Sequence, residues 1–148
     1  MLDAILKPRS VAVVGASRSP ATIGWQVLDN LLRFGFQGPV FPVNPKAPVI
    51  HSLRAYPSVA AIPEPVDLAV VAVPRAVAPR ILEDCIRKGV AAAHFFTSGF
   101  AETATEEGRK AGEQLAARAR EANLYIIGPN CMGIFNPAIG IRQNELQY

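Results

Sequence analysis

A chain of 148 residues, half of them apolar, is long enough to bury a single core without help from metals or disulfides. Its net charge of +3 comes from dispersed Lys and Arg with no basic run, which argues against nucleic acid and for a small polyanion as partner. Cys85 and Cys131 match neither a disulfide framework nor a C-x-x-C spacing, no apolar run approaches the roughly 18 residues of a membrane span, and no secretory pattern opens the chain. The expected protein is soluble, cytoplasmic and reduced, with no membrane partner.

Apolar runs alternate with helical patterns, the arrangement of βαβ units and a parallel sheet. The first strand is Ser10–Val14, a β-branched run that stops at Gly15. A glycine there turns the backbone sharply, and the helix that follows directs its free N–H groups toward an anion over the strand end. That helix spans Thr22–Phe34, with Val27, Leu28, Leu31 and Leu32 facing inward. Gly24 lies nine positions after Gly15, so the G-x-G-x-x-G dinucleotide spacing is not met. The turn is longer than the usual nicotinamide one.

A second strand, Val40–Val43, contains Pro42, which cannot donate to a ladder and points to an edge position. A short third strand at Val49–Leu53 would partly cover it, within a stiff connection that holds seven of the 13 prolines between Pro39 and Pro65. Asp67–Val73 is the fourth strand, ending at Pro74-Arg75. Its helix accepts Pro79 in the first turn, turns Ile81, Leu82, Cys85 and Ile86 inward and stops at Gly89. Ala91–Thr97 is the fifth strand, followed by Ser98-Gly99-Phe100. Thr103 and Glu106 have capping-box spacing ahead of a helix carrying Ala111, Leu115, Ala119 and Ala122. The sixth strand, Leu124–Ile127, runs into Gly128-Pro129-Asn130-Cys131-Met132-Gly133.

Every glycine-rich or polar break thus follows the C-terminal end of a strand, where open α/β sheets bind ligands. The expected fold is a three-layer, doubly wound, mainly parallel sheet of order 3-2-1-4-5-6, with the switch point between Gly15 and Pro74. After the second strand, where an NAD site places a carboxylate, stand Val43-Asn44-Pro45-Lys46. A neutral amide and a cation suit a ligand with an extra ribose phosphate, so NADP and coenzyme A both fit.

Five segments in order, Pro8-Arg9-Ser10-Val11-Ala12-Val13-Val14-Gly15-Ala16-Ser17, Pro42-Val43-Asn44-Pro45, Ala72-Val73-Pro74, Ser98-Gly99-Phe100-Ala101-Glu102 and Gly128-Pro129-Asn130-Cys131-Met132-Gly133, together carry a resemblance. The chain resembles the N-terminal, Rossmann-like CoA-binding domain of nucleoside-diphosphate-forming acyl-CoA synthetases. It is similar also to the start of the succinyl-CoA ligase α subunit and of acyl-CoA-synthetase-like protein acetyltransferases. The resemblance implies that Gly15, Ser17 and Arg18 hold the pyrophosphate of CoA and that Asn44 and Lys46 meet the ribose 3′-phosphate. Val73 and Pro74 would wall the adenine or pantetheine, Ser98 and Gly99 would line the pantetheine path, and Asn130 and Cys131 would lie toward the thiol. Ala16, Gly24 and Val43 belong to the same implied cofactor-binding set.

The family's ligases pass a phosphoryl group through a histidine in a following domain and use an ATP-grasp module. Here His51 and His94 match no such motif, and the chain has no P-loop. The implied role is therefore CoA binding with no catalytic or metal-binding residue in this chain, residues 1–140 forming the domain and Ile141–Tyr148 a linker toward absent domains. Two other functions fit less well. One is a stand-alone CoA-binding or sensing module, and the other an NADP-dependent reductase, which lacks both the glycine spacing and a Tyr-x-x-x-Lys pair. Arg75 reads as a solvent or helix-end charge, Cys85 as core, Cys131 as a small packed turn residue, His94 as a hydrogen-bonded strand residue, His51 as surface, and Trp25 as packing.

Overall fold

A computed structural model describes residues 2–143. Among them, β1 (Val11–Val14), β2 (Val40–Val43), β5 (Leu68–Val71), β6 (Ala92–Phe95) and β7 (Tyr125–Ile127) form a wholly parallel five-stranded sheet in the order β2-β1-β5-β6-β7. The helices are α1 (Asp3–Leu6), α2 (Ile23–Arg33), α3 (Ala78–Lys88) and α4 (Glu106–Glu121). Two short antiparallel hairpins lie outside the sheet, β3 (Val49–Ile50) with β4 (Leu53–Arg54), and β8 (Phe135–Asn136) with β9 (Ile141–Arg142).

Alternation along each strand divides the core in two. Ala12, Val14, Ala69, Val71, Ala93 and Phe95 point to one face, under Ala78, Ile81, Leu82 and Cys85 of α3 and Leu115 and Ala119 of α4. Val11, Val13, Leu68, Val70 and Ala92 point to the other, under Val27, Leu28 and Leu31 of α2. Strands with both faces covered must be apolar at every position, which is why the β1 and β5 runs are unbroken. Three layers result, as the sequence led us to expect.

Strand order is corrected at the edge. The segment read as a third strand, Val49–Leu53, folds instead into the β3–β4 hairpin, outside the main sheet. Beside β2 runs a single bridge at Tyr56, whose N–H donates to the Pro42 carbonyl at 2.9 Å and whose carbonyl accepts from Asn44 N–H at 2.9 Å. Pro57 follows at once and supplies no donor, so the ladder cannot extend.

The cap of α4 is corrected as well. Thr105, not Thr103, accepts from Gly108 N–H at 3.1 Å, while the Thr103 hydroxyl donates to the Phe100 carbonyl. The expected linker begins inside the fold: Ile141 packs with Ile134 against the α2 face, and Gln143 is buried. One helix alone leaves that face incomplete, and Ile134 and Ile141 share the remainder with Ile50 and Ala55 and with Ala4 and Ile5 of α1. The rest of the expected linker, 144–148, lies outside the described residues.

Candidate functional site

The β1–α2 turn is built by close backbone approach. Gly15 has φ +89°, and a Cβ on it would lie 2.2 Å from the Ala72 carbonyl oxygen beyond β5. A Cβ on Gly24 would lie 1.9 Å from the Gly15 carbonyl oxygen. The second glycine therefore seats α2 directly on the turn, the packing that the shorter dinucleotide fingerprint assigns to its last glycine. One of the N–H groups expected to be free at the start of α2 is taken within the protein. Thr22 caps the helix by accepting from Trp25 N–H at 3.3 Å, and the preceding loop is closed by Ser19 N–H donating to Ser17 Oγ at 3.0 Å.

Between the ends of β1 and β5 opens a crevice of about 260 Å³, at the point where the chain reverses direction across the sheet. Val14, Gly15, Val43 and Pro45 form one wall, and Val73, Pro74, Val77 and Ile81 the other. The 57–59 segment closes one side, and Arg80 and Asp84 stand at the first turns of α3. Asp84 is buried and paired with Arg87, whereas Arg80 is exposed and has no polar partner among the described residues. Arg80 and Ser58 escaped the sequence reading because no local pattern marks an exposed helix residue or a proline-rich loop as neighbours of Gly15. Their signal is purely spatial.

Four expected site residues, Gly15, Val43, Val73 and Pro74, line this crevice. Asn44 takes a different part: its Nδ2 donates to the Ala16 carbonyl at 2.8 Å, and its Oδ1 accepts from Lys46 N–H at 2.8 Å and Ala47 N–H at 3.0 Å. It ties the β2 loop to the β1 loop and holds the backbone of Lys46, an exposed residue that directly follows Pro45 of the crevice wall. Ala16 is buried and Gly24 lies beneath the turn, so both shape the site from below. Arg18 is exposed and gives its Nε to the Val49 carbonyl at 2.9 Å.

Ser98 is exposed at the end of β6, and Gly99 beside it has φ +101°. Asn130 lies away from the crevice, in a depression of about 190 Å³ that it shares with Ile23, Gln26, Phe96, Cys131, Met132 and Gln143. A larger hollow of about 380 Å³ between α3 and α4 stands to the side of the strand ends and has an apolar floor of Leu82, Phe100 and Leu115. Of the two cysteines, Cys85 is buried, where desolvation and then the Asp84 charge push its thiol up to about 12. Cys131 is only partly buried. His51 is half-buried, 4.0 Å from Asp29 and tilted against Trp25, so both belong to packing at the α2 start. No described helix is long and apolar enough to cross a membrane.

A sequence family described as the CoA binding domain matches residues 9–137, the span that holds β1, the crevice and the 128–133 loop. The chain belongs to this family. Its CoA-binding fold is 42% identical over 142 residues to acetate–CoA ligase (ADP-forming) I subunit alpha of Pyrococcus furiosus, covering 93% of this chain and 30% of that one. It is 36% identical over 132 residues to 4-hydroxybutyrate–CoA ligase (ADP-forming) of Nitrosopumilus maritimus, covering 89% of this chain and 19% of that one. The dinucleotide-forming acetyl-coenzyme A synthetase 1 of Ca. Korarchaeum cryptofilum, solved with phosphate and ADP, superposes with a TM-score of 0.91 at 38% identity over 97% of this chain and 30% of that chain. This CoA-binding domain therefore spans less than a third of the length of each of these relatives.

Proposed function

We propose that this domain holds coenzyme A for an acyl-CoA synthetase that forms a nucleoside diphosphate, with the acyl and phosphoryl chemistry carried by other domains. The carrying observation is the crevice between Gly15 and Pro74, flanked by a cation, Lys46, and by no carboxylate at the end of β2. The cofactor's nucleotide lies across that crevice, Val73 and Pro74 packing on it, with the Ser17–Arg18 loop at the pyrophosphate and Lys46 at the 3′-phosphate. Ser98 and Gly99 line the path of the pantetheine, and Asn130 lies toward the thiol. Asn44 contributes through the loop it braces.

Relatives of similar identity are named for acetate and for 4-hydroxybutyrate, which supports a domain that serves the shared CoA and leaves choice of acid elsewhere. The histidine-bearing and ATP-grasp domains are the partners this reading calls for. Calorimetry with CoA and NAD tests it: tighter binding of CoA is expected, and tighter binding of NAD overturns it. The isolated chain is expected to form no acyl-CoA from acid, CoA and ATP, and a phosphohistidine on His51 or His94 would contradict the assignment of that chemistry to other domains.

A further inference from the structure

The turn between β6 and α4 contains a charged clamp. Gly99 N–H donates to Glu102 Oε1 at 2.5 Å, and Phe100 N–H to Glu102 Oε2 at 3.1 Å. From the other side, Arg75, which directly follows Pro74 in the crevice wall, gives Nη1 to the Gly99 carbonyl at 2.6 Å and Nη2 to Glu107 Oε1 at 2.5 Å in the first turn of α4. A Cβ on Gly99 would lie 3.2 Å from Arg75 Cδ, so the stem of the arginine lies along this residue. Both polar backbone groups of Gly99 are thus satisfied from within the protein. What the turn leaves exposed is Ser98, whose hydroxyl has no partner among the described residues.

We propose that Arg75 is a positioning residue for the cofactor site: bridging the Gly99 carbonyl and Glu107, it holds the Ser98–Gly99 turn against the Pro74 wall and presents Ser98 to the pantetheine arm. The proposal rests on the CoA reading above. Its chemistry is that of a planar fork. Arg75 reaches two acceptors on two elements from two fixed nitrogens, whereas a lysine brings one point charge that cannot span both. A role as a free phosphate-binding cation fits less well, because both terminal nitrogens are already engaged.

The test uses the whole chain, labelled with ¹⁵N, as wild type and as Arg75→Ala, Arg75→Lys and Glu107→Gln. Amide exchange at Gly99 and Phe100 is measured without ligand. Affinity is measured for CoA and for adenosine 3′-phosphate 5′-diphosphate, which keeps both pyrophosphate phosphates and lacks the pantetheine arm. In Arg75→Ala, exchange is expected to accelerate, CoA binding to weaken about tenfold, and binding of the arm-less nucleotide to stay unchanged, with Arg75→Lys restoring little. Glu107→Gln removes the charge of one anchor only and is expected to give a smaller effect of the same kind, which guards against a fold defect in the alanine variant. Equal losses for the two ligands would make Arg75 a phosphate contact, and unchanged exchange at Gly99 would remove the positioning role. If the wild type binds the arm-less nucleotide and CoA equally well, the pantetheine role falls. If it binds neither, the CoA reading fails, and the ligand-free exchange still decides whether Arg75 holds the turn.

Discussion

Asn44 and Ala16 are joined behind one wall of the crevice by a 2.8 Å hydrogen bond from the Asn44 amide to the Ala16 carbonyl. The same side chain accepts from the Lys46 and Ala47 amides, so one residue holds both loops in register. Asn44→Ala leaves those groups unpaired and is expected to cost about 1–3 kcal/mol of stability. Urea unfolding measures it. Asn44→Asp retains the two acceptor bonds but cannot donate to Ala16, and it is expected to weaken CoA binding more than it weakens the fold.

Lys46→Ala is expected to weaken CoA binding by roughly 1 to 2 kcal/mol, the scale of a charge-assisted contact open to water, while dephospho-CoA hardly responds. The two ligands and two proteins form a thermodynamic cycle that isolates the coupling. Arg18→Ala is expected to weaken both ligands alike, since each carries the pyrophosphate. Added salt should shrink the Lys46 coupling, because exposed charges are screened over about 8 Å at physiological ionic strength.

Gly24→Ala tests the seating of α2. Its Cβ would be placed 1.9 Å from the Gly15 carbonyl oxygen, and neither backbone can yield without moving the helix or the turn. A loss on the order of 3 kcal/mol or more is expected in thermal or urea unfolding, accompanied by loss of CoA binding. Gly89→Ala is the control, for a Cβ at Gly89 meets nothing within 4 Å. With φ +74° it should show only the modest backbone strain of a left-handed residue.

His94 makes stability depend on pH. It is fully buried in β6, its ring 4.6 Å from Phe96 and its Nδ1–H donating to Gln143 Oε1 at 2.7 Å. Desolvation pushes the imidazole down to about 4, against a smaller opposing effect of the Gln143 bond. Below about pH 6.5 the unfolded chain takes up a proton that the folded chain refuses. Stability is therefore greatest above that pH and falls as pH drops toward 4, by on the order of 3 kcal/mol at most. Urea midpoints at pH 7 and 4.5 measure the drop, and His94→Gln should flatten it.

The sheet strands, the three main helices, the Gly15 turn and the family are legible in residue order alone, because a strand buried on both faces and a helix buried on one leave patterns within a few residues. The roles that only the tertiary structure decided all depend on partners far away in the chain. Val49–Leu53 reads as a strand locally, but the chain turns back at His51-Ser52, both at positive φ, and pairs with itself in a hairpin outside the main sheet. That Gly24 packs directly against the Gly15 carbonyl shows only in space. Ile141 reads as linker, yet it is core, because α2 alone cannot cover its face of the sheet. Asn44 with Ala16 and Arg75 with Gly99 are pairs of ordinary residues, 28 and 24 positions apart. A hydrogen bond between such residues leaves no periodic trace in either segment, so only their meeting in space shows what each one holds.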